Sequence, residues 1–454
     1  MNKCLSAIIM ATLTGATTQA QTLQVAPRLV VNITIDQLRN DYIEHYSPLY
    51  SPNGFKKLLS KGCVYEAANY PFESVDRASA IATIVTGTTP TYHNIISTRW
   101  LDRKTLRPVF CVDDAKYKTS PQRLSTSTIS DELKVSSNGS SIVYGIASQR
   151  DAAVLSAGHA ADGAFWIDEK TGSWTTSNYY GSKAQKWIQA YRNTTSKPSK
   201  EQAEQNNAVC DAAIACLNHH AMGKDAQTDY LSITLSAKGT QNEKWRTDFE
   251  SLYRGLDHTL ATLIEQIEKS VGNQQVLFVL TSTGYTDDPK VDYAKYRIPT
   301  GTFYINRTAN LLNMYLGAIY GQSRYVETCF SNQIYLNRKF IEDKLLSFED
   351  ILSRSKDFLA QIAGIRKVSE SPYNPAVSGD LIIEVAPGWQ LLNEDNQDNY
   401  IARASFVPFP IILYGMGIKP QRVTTPVSVD RIAPTIAKSI QIRAPNACKV
   451  SPLQ

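Results

Sequence analysis

The hydrophobic pattern along the chain switches repeatedly between a strand-like and a helix-like period. Leu29-Val30-Val31-Asn32-Ile33-Thr34-Ile35 is a β-branched, mostly apolar run that reads as a buried strand and closes on Asp36. Val276-Leu277-Phe278-Val279-Leu280 is an unbroken apolar run, the kind found where a parallel sheet is covered on both faces. Before it, Leu252, Leu256, Leu260, Leu263, Ile264 and Ile267 recur at helical spacing, and Gly272 stands where a helix would be capped. Residues 230–235, 381–385 and 411–414 are further strand candidates. Strands separated by helices predict an α/β fold with a central, mostly parallel sheet flanked by helices. Two polar, turn-rich stretches, 113–130 and 193–207, interrupt the pattern. There is no internal repeat, low-complexity tract or obvious linker, so one large domain over residues 21–454, with insertions, is expected. In an open α/β sheet, ligands bind just beyond the carboxyl ends of the strands. Asp36 is therefore a natural first metal ligand, if the chain supplies others.

Composition changes this picture at the ends rather than in the middle. Residues 1–20 read as a signal peptide: Lys3, a mostly apolar stretch, then the small-residue site Thr18-Gln19-Ala20. The stretch is too short and polar to span a membrane, and no later segment is apolar enough. The expected product starts near Gln21 and is periplasmic or secreted; the alternative is an uncleaved N-terminal anchor. With 47 basic and 42 acidic residues the formal charge is only +5, and no basic run occurs, which argues against a nucleic-acid partner. Beyond the signal lie Cys63, Cys111, Cys210, Cys216, Cys329 and Cys448, without metal-ligand spacing. Some can pair in an exported protein, and free buried thiols are equally open. Cys210 and Cys216, six apart on a helix, point to different faces. The 24 tyrosines read as packing and rim residues.

Several short segments, in order, carry a resemblance. They are Ile33-Thr34-Ile35-Asp36-Gln37-Leu38-Arg39, then Thr86-Gly87-Thr88-Thr89-Pro90 with His93, then Ala157-Gly158-His159-Ala160-Ala161-Asp162. Asn178-Tyr179-Tyr180, Leu312-Asn313-Met314 and Ile334-Tyr335-Leu336-Asn337 follow. Ser378-Gly379-Asp380, Pro387-Gly388-Trp389 and Asp430-Arg431-Ile432-Ala433-Pro434-Thr435 complete the series. The chain resembles the alkaline phosphatase superfamily in its type I phosphodiesterase/nucleotide pyrophosphatase-like branch, most of all the exported monomeric alkaline phosphatases of Bacteroidetes-type bacteria. The resemblance implies an inserted cap region and no appended sorting domain. It also implies two zinc ions, about six Asp/His ligands and a Thr or Ser nucleophile, because two metals clamp the attacking and leaving oxygens of a phosphoryl transfer.

Position by position, that chemistry is missing. Asp36 matches the first ligand. The nucleophile slot, in the turn entering the helix before Thr86, where a helix N-terminus would help bind phosphate, holds Arg77, and a permanently protonated arginine cannot attack phosphorus. Ser74 and Ser79 flank it but need a register shift. The slot of an Asn that helps hold the transferred group contains Thr98. The Asp and His of the next ligand pair are replaced by Ser236 and Thr240, and those of the following pair by Thr283 and Gly284. The last His slot holds Asn399. The substrate-gripping Lys-Asp-Arg run of the closest relatives is Gln149-Arg150-Asp151 here. Asp287 and Asp288 would serve a rearranged metal site only after a local shift.

Asp36 would be costly to bury unpaired, so Arg77 is expected to pair with it in place of the lost metal. The alternative has Arg77 in solvent and Asp36 bonded to backbone amides. His93 and His159 lie outside the ligand slots and read as structural histidines. His219 and His220 read as surface, His258 lies on the polar side of its helix, and His45 carries no argument. The sequence thus predicts a pseudoenzyme with no resident cofactor, binding or scaffolding an unknown ligand or protein partner. A working phosphoric-ester hydrolase with two zinc ions and unusual ligands is the alternative, and a structural envelope component is a third reading.

Overall fold

Asp36 ends a central strand of a ten-stranded sheet. The computed structural model describes residues 25–239, 245–286, 293–395, 398–400 and 407–453. The elements used below are β1 (Leu29–Asp36), helix α1 (Arg77–Thr86), β2 (Val143–Ala147), helix α2 (Arg150–Ala157), β3 (Asp229–Ser236), β4 (Val276–Ser282) and β5 (Phe409–Gly415). Across the sheet the order is Gln421–Val423, Cys63–Asn69, β5, β4, β1, β3, β2, Gly163–Ile167 and Trp174–Thr175. From β4 to Gly163–Ile167 all neighbours are parallel. Beyond that centre β5 runs antiparallel to both β4 and Cys63–Asn69, so the sheet as a whole is mixed. Every residue of β1, β3 and β4 is buried, as both covered faces require.

One face packs under the long helix Trp245–Val271. Its Leu252, Leu256, Leu260, Leu263, Ile264 and Ile267 are all buried in the main core, as their spacing predicts. That helix stops at Gly272, whose φ of +104° suits glycine and whose N–H donates to the Glu268 carbonyl. The other face carries α1 and α2. Close approach of α2 depends on Gly145, where an added Cβ would stand 2.5 Å from the Ala153 carbonyl oxygen.

Between β4 and β5 the chain builds the cap region. A three-stranded sheet (Gly301–Tyr304, Trp389–Asn393, Asp398–Tyr400) and a four-stranded sheet (Val326–Phe330, Gln333–Leu336, Leu381–Val385, Ile365–Glu370) enclose a separate core that includes Leu312, Leu316, Ile334, Ile351 and Ile383. Residues 381–385, expected in the main sheet, therefore belong to the cap. They read as an apolar run broken only by Glu384, and in place they alternate between buried and half-buried, as in an antiparallel strand with one covered face. The polar stretch 193–207 also ends earlier than expected, because a helix starts at Gln202. Cys63, Cys111, Cys210, Cys216, Cys329 and Cys448 are free thiols; Cys210 and Cys216, although on different sides of one helix, are both buried. Among the described residues no helix is long and apolar enough to cross a membrane.

Arg103 is one tie between the cap and the main sheet's side of the molecule, and an exposed Lys367–Glu73 pair (2.9 Å) is another. Arg103, in the hairpin formed by Arg99–Asp102 and Arg107–Phe110, donates to the carbonyls of Pro375 (2.8 Å) and Ser378 (3.0 Å) and to Asp380 (3.0 Å). Asp380 is buried and also accepts from Arg338 (2.7 Å) and the Leu336 N–H (2.7 Å). Asp380→Ala leaves two guanidinium groups without their carboxylate and should cost about 3 kcal/mol. Hydrogen exchange should then quicken selectively in Val326–Leu336 and Leu381–Val385 while β1, β3 and β4 stay protected; uniform protection would count against the clamp.

Candidate functional site

The carboxyl ends of β1, β3 and β4 lie side by side, with Asp36 paired to Ser236 and Ile35 to Ser282. The N-termini of α1 and α2 face this rim. Asp76 caps α1 through a reciprocal box: its side chain accepts from the Ser79 N–H (3.0 Å), and the Ser79 hydroxyl accepts from the Asp76 N–H (3.0 Å). The second oxygen of Asp76 takes the N–H and the hydroxyl (2.7 Å) of Thr98. Thr98 is thus committed to Asp76, an interaction its motif position did not announce.

Arg77 is the first residue of α1, and its principal partner is Asp151 rather than Asp36. Nε and Nη2 donate to the two Asp151 oxygens at 2.8 and 2.9 Å, a bidentate fork, whereas Nη1 stands 3.8 Å from Asp36. Side-chain exposure is 22% for Arg77, 1% for Asp151 and 2% for Asp36, so the pair is largely desolvated. Burial works against the Arg77 charge, but Asp151 and then Asp36 outweigh it, and its pKa lies well above the ordinary value. The expectation of an Arg77–Asp36 pair is corrected to this extent: the stronger partner comes from the first turn of α2, and Asp36 is a longer-range neighbour. Asp36 instead accepts the Thr283 hydroxyl at 2.8 Å, and that hydroxyl accepts the Gln37 N–H at 2.9 Å. Gln37 holds φ = +63°, uncommon for a residue with a Cβ, just after the strand ends. Beside them the Tyr70 phenol donates to the Ser282 carbonyl, and burial followed by the Asp36 charge pushes its pKa well up.

The remaining slots offer little to a metal. Ser236 is buried and fixed by Asn206, which bonds both its N–H (2.9 Å) and its carbonyl (2.8 Å). Gly284 holds φ = +68°, and a Cβ there would stand 2.6 Å from Tyr70 and Phe409, so a larger ligand residue does not fit this backbone. Asn399 lies on Asp398–Tyr400, paired with Leu392; its side chain, like all of Thr240, Asp287 and Asp288, falls outside the described residues. Among the described residues no three His, Cys, Asp or Glu side chains converge as a metal-ligand set. Asp36 is joined instead by the Thr283 hydroxyl and a guanidinium, and a fixed cation 3.8 Å from this carboxylate opposes Zn²⁺. Among the described residues, those at these positions do not fit a two-zinc centre.

In the substrate slots, Gln149 immediately precedes α2 and its Oε1 is buried without a partner among the described residues. Arg150 turns away from the rim to Asp113 (3.0 Å), Thr119 (3.1 Å) and the Phe110 ring. Two surface depressions, about 680 Å³ beside Lys56 and Arg422 and about 290 Å³ beside Trp174 and Arg192, include none of these residues.

The histidines of the matching segments are structural. His93 is fully buried, with Nε2 against the Thr83 hydroxyl (3.1 Å) and Nδ1 accepting from the Ile95 N–H (3.1 Å); burial pushes its pKa down to about 3. His159 is held between Asp131 (2.8 Å) and the Leu124 carbonyl (3.0 Å). His258, His45 and His219 are exposed. His220 departs from the surface reading: it stacks on Tyr144 at 4.5 Å, and burial lowers its pKa to about 4. Its neighbour His219 keeps the solvent side, so one member of an adjacent pair is drawn inward by an aromatic partner that sequence spacing does not reveal.

Comparison with known proteins identifies the family and the fold. A model of the family described as type I phosphodiesterase / nucleotide pyrophosphatase matches residues 30–405. Alkaline phosphatase PafA of Elizabethkingia meningoseptica is 24% identical, over 94% of this chain and 94% of its own length. A calcium-transporting ATPase of Myroides odoratus is 25% identical, again over 94% of each chain. The crystal structure of wild-type PafA superimposes with a TM-score of 0.81 at 23% identity, covering 94% of this chain and 98% of that one, which establishes the fold.

Two outcomes follow from the site's electrostatics. Asp151→Asn leaves the Arg77 guanidinium without its fork and should lower stability by about 3 kcal/mol, whereas Arg77→Met combined with Asp151→Leu should cost much less than the two single changes summed. Urea denaturation of the four proteins measures that coupling, and simple additivity would rule it out. His93 is neutral when folded and titrates normally when unfolded, so the unfolded chain binds the extra proton between pH about 3 and 6.5. Its contribution is therefore complete above pH 6.5 and is lost as pH falls, with a slope approaching about 1.4 kcal/mol per pH unit. His93→Gln should flatten the stability–pH curve in that window.

Proposed function

The chain belongs to the type I phosphodiesterase / nucleotide pyrophosphatase family, within the alkaline phosphatase superfamily, and from that premise we propose that it is a pseudoenzyme, a family member that no longer hydrolyses phosphate esters and instead binds or scaffolds a partner. The observation that carries this reading is the Arg77–Asp151 fork. In the family's arrangement the first position would present a nucleophilic hydroxyl and the second a substrate-gripping arginine. Here the first offers a protonated guanidinium and the second a carboxylate, so the group meant to attack phosphorus and the group meant to hold its oxygens are engaged with each other. Thr98, in the slot of a third phosphate-holding side chain, donates to Asp76. Asp36, Asp76 and Asp151 outnumber Arg77, and that sign of charge disfavours an oxyanion. We take the protein to be exported, from the character of residues 1–20, and the cap to be an insertion in one continuous domain over residues 21–454.

A second reading, a hydrolase with an unorthodox ligand set, draws on the survival of Asp36 at the right strand end and on the phosphatase names of the relatives. Elemental analysis of the purified protein, together with turnover assays on aryl phosphate mono- and diesters, separates the two. The expected result is substoichiometric zinc and no turnover after zinc is supplied. Stoichiometric zinc with turnover abolished by Asp36→Ala would sink the pseudoenzyme reading.

A further inference from the structure

The face of the sheet beneath α2 is not a dry hydrophobic surface. In β1 and β3 the residues on this face are polar in succession: Asn32, Thr34 and Asp36 on one strand, Tyr230, Ser232, Thr234 and Ser236 on the next. The register sets Asn32 beside Ser232 and Thr34 beside Thr234. All four are buried to within 1% of complete. Their outer neighbours on this face are Val279 and Thr281 on β4, and Gly145 and Ala147 on β2.

Hydrogen bonding within this patch is incomplete. Asn32 Nδ2 donates to the Tyr230 hydroxyl at 2.9 Å. Asn32 Oδ1, Ser232 Oγ and Thr234 Oγ1 have no well-formed partner among the described residues. Ser232 stands beside the Tyr230 phenol, but a shared serine hydroxyl leaves Asn32 Oδ1 and Thr234 Oγ1 as they are. Exchanging the oxygen and nitrogen of the Asn32 amide does not help, because it strands the nitrogen instead. A buried polar atom left without a partner costs on the order of 1–3 kcal/mol, and Asn32 Oδ1 and Thr234 Oγ1 together would be a large debt for one patch. The geometry offers the remedy. Side chains on neighbouring strands stand roughly 5 Å apart and those two residues apart along a strand roughly 7 Å, so a water molecule can reach two or three of these groups at once. Buried waters usually make about three hydrogen bonds to such otherwise unsatisfied atoms.

We propose that Asn32, Ser232 and Thr234 form an internal hydration site that holds ordered water between the β1–β3 face and the helical layer carrying Arg77 and Asp151. The ligand is water itself, and the site is a structural part of the platform behind the candidate functional site. It stands independently of whether the protein hydrolyses esters.

Thr234→Val tests it, because the change removes the hydroxyl while keeping the shape of the side chain. If the hydroxyl is an unpartnered dry group, deleting it relieves a penalty and the melting temperature rises. If it holds water, deletion strips that water of a ligand and the melting temperature falls, by about 2 °C in a chain of this size. A high-resolution crystal structure of the unaltered chain gives the direct readout: water within about 3 Å of Asn32 Oδ1 and of Thr234 Oγ1. A fall in melting temperature with water in the density supports the proposal. Either a dry patch in that density or a rise in melting temperature overturns it.

Discussion

The fork between Arg77 and Asp151 is the contact on which the organisation of the candidate site depends. Each side chain is placed by a helix N-terminus, and the two termini are not equivalent in what they favour. A carboxylate in the first turn of α2 gains from the positive end of that helix, whereas a guanidinium at the first position of α1 is disfavoured by the corresponding end of its own. Arg77 therefore needs negative neighbours more than an arginine elsewhere would. It has them in Asp151 at 2.8 and 2.9 Å and, further away, in Asp36 at 3.8 Å, while Asp76 caps the same helix. With three carboxylates drawn to one rim, the charge on Arg77 becomes a requirement of the fold rather than an accident of one position.

That requirement reaches outward through the strands. Asp36 is fixed by the Thr283 hydroxyl, which the Gln37 N–H also engages, so the ends of β1 and β4 are joined by side chain and backbone together. Tyr70 closes the same corner through the Ser282 carbonyl, and the space it fills with Phe409 leaves room only for glycine at 284. Thr283 and Gly284 are thus parts of one hydrogen-bonded, close-packed corner. The cap has its own core and is held in part by the Arg103–Asp380–Arg338 cluster, which follows the same principle: one buried carboxylate satisfied by two guanidinium groups and a backbone amide.

Much of the fold was legible in the sequence because burial on both faces leaves a strong compositional trace. The runs at 29–35 and 276–280 and the leucine spacing of 252–267 announced their elements directly. That 381–385 joins the cap rather than the main sheet is not legible, because a short, mostly apolar run does not say which sheet it joins; that is decided by a core formed only once the cap folds. At the site, the slot-by-slot reading located Arg77, Thr98, Asp151 and Thr283, but not how they pair. Arg77 was matched to the carboxylate known from its motif, Asp36, when the better-placed carboxylate was in another motif 74 residues further on. A signal for it was present: residues 77 and 151 both depart from the family pattern, and the departures have opposite charge. Asp76 and the polar face of β1 and β3 gave no such signal. A capping aspartate is ordinary in sequence, and alternating Asn, Thr and Ser in a strand suggests a solvent face until the covering helices are seen.

The opposite signs of those two departures bear on how such a site can change. Arginine at 77 opposite an arginine at 151 would place two like charges in a desolvated rim, and aspartate at 151 opposite a hydroxyl would bury a carboxylate without a counter-charge. Either intermediate is more costly than the pair, since removing one member of a buried ion pair leaves the other uncompensated. The two residues therefore behave as one unit, and neither can be read, or reversed, by itself. A hydroxyl at 77 alone would leave Asp151 facing any incoming phosphate, and an arginine at 151 alone would repel Arg77. The ion pair ties the first turns of the two helices together at the rim, and the same desolvation that makes the pair costly to break holds each partner on the other.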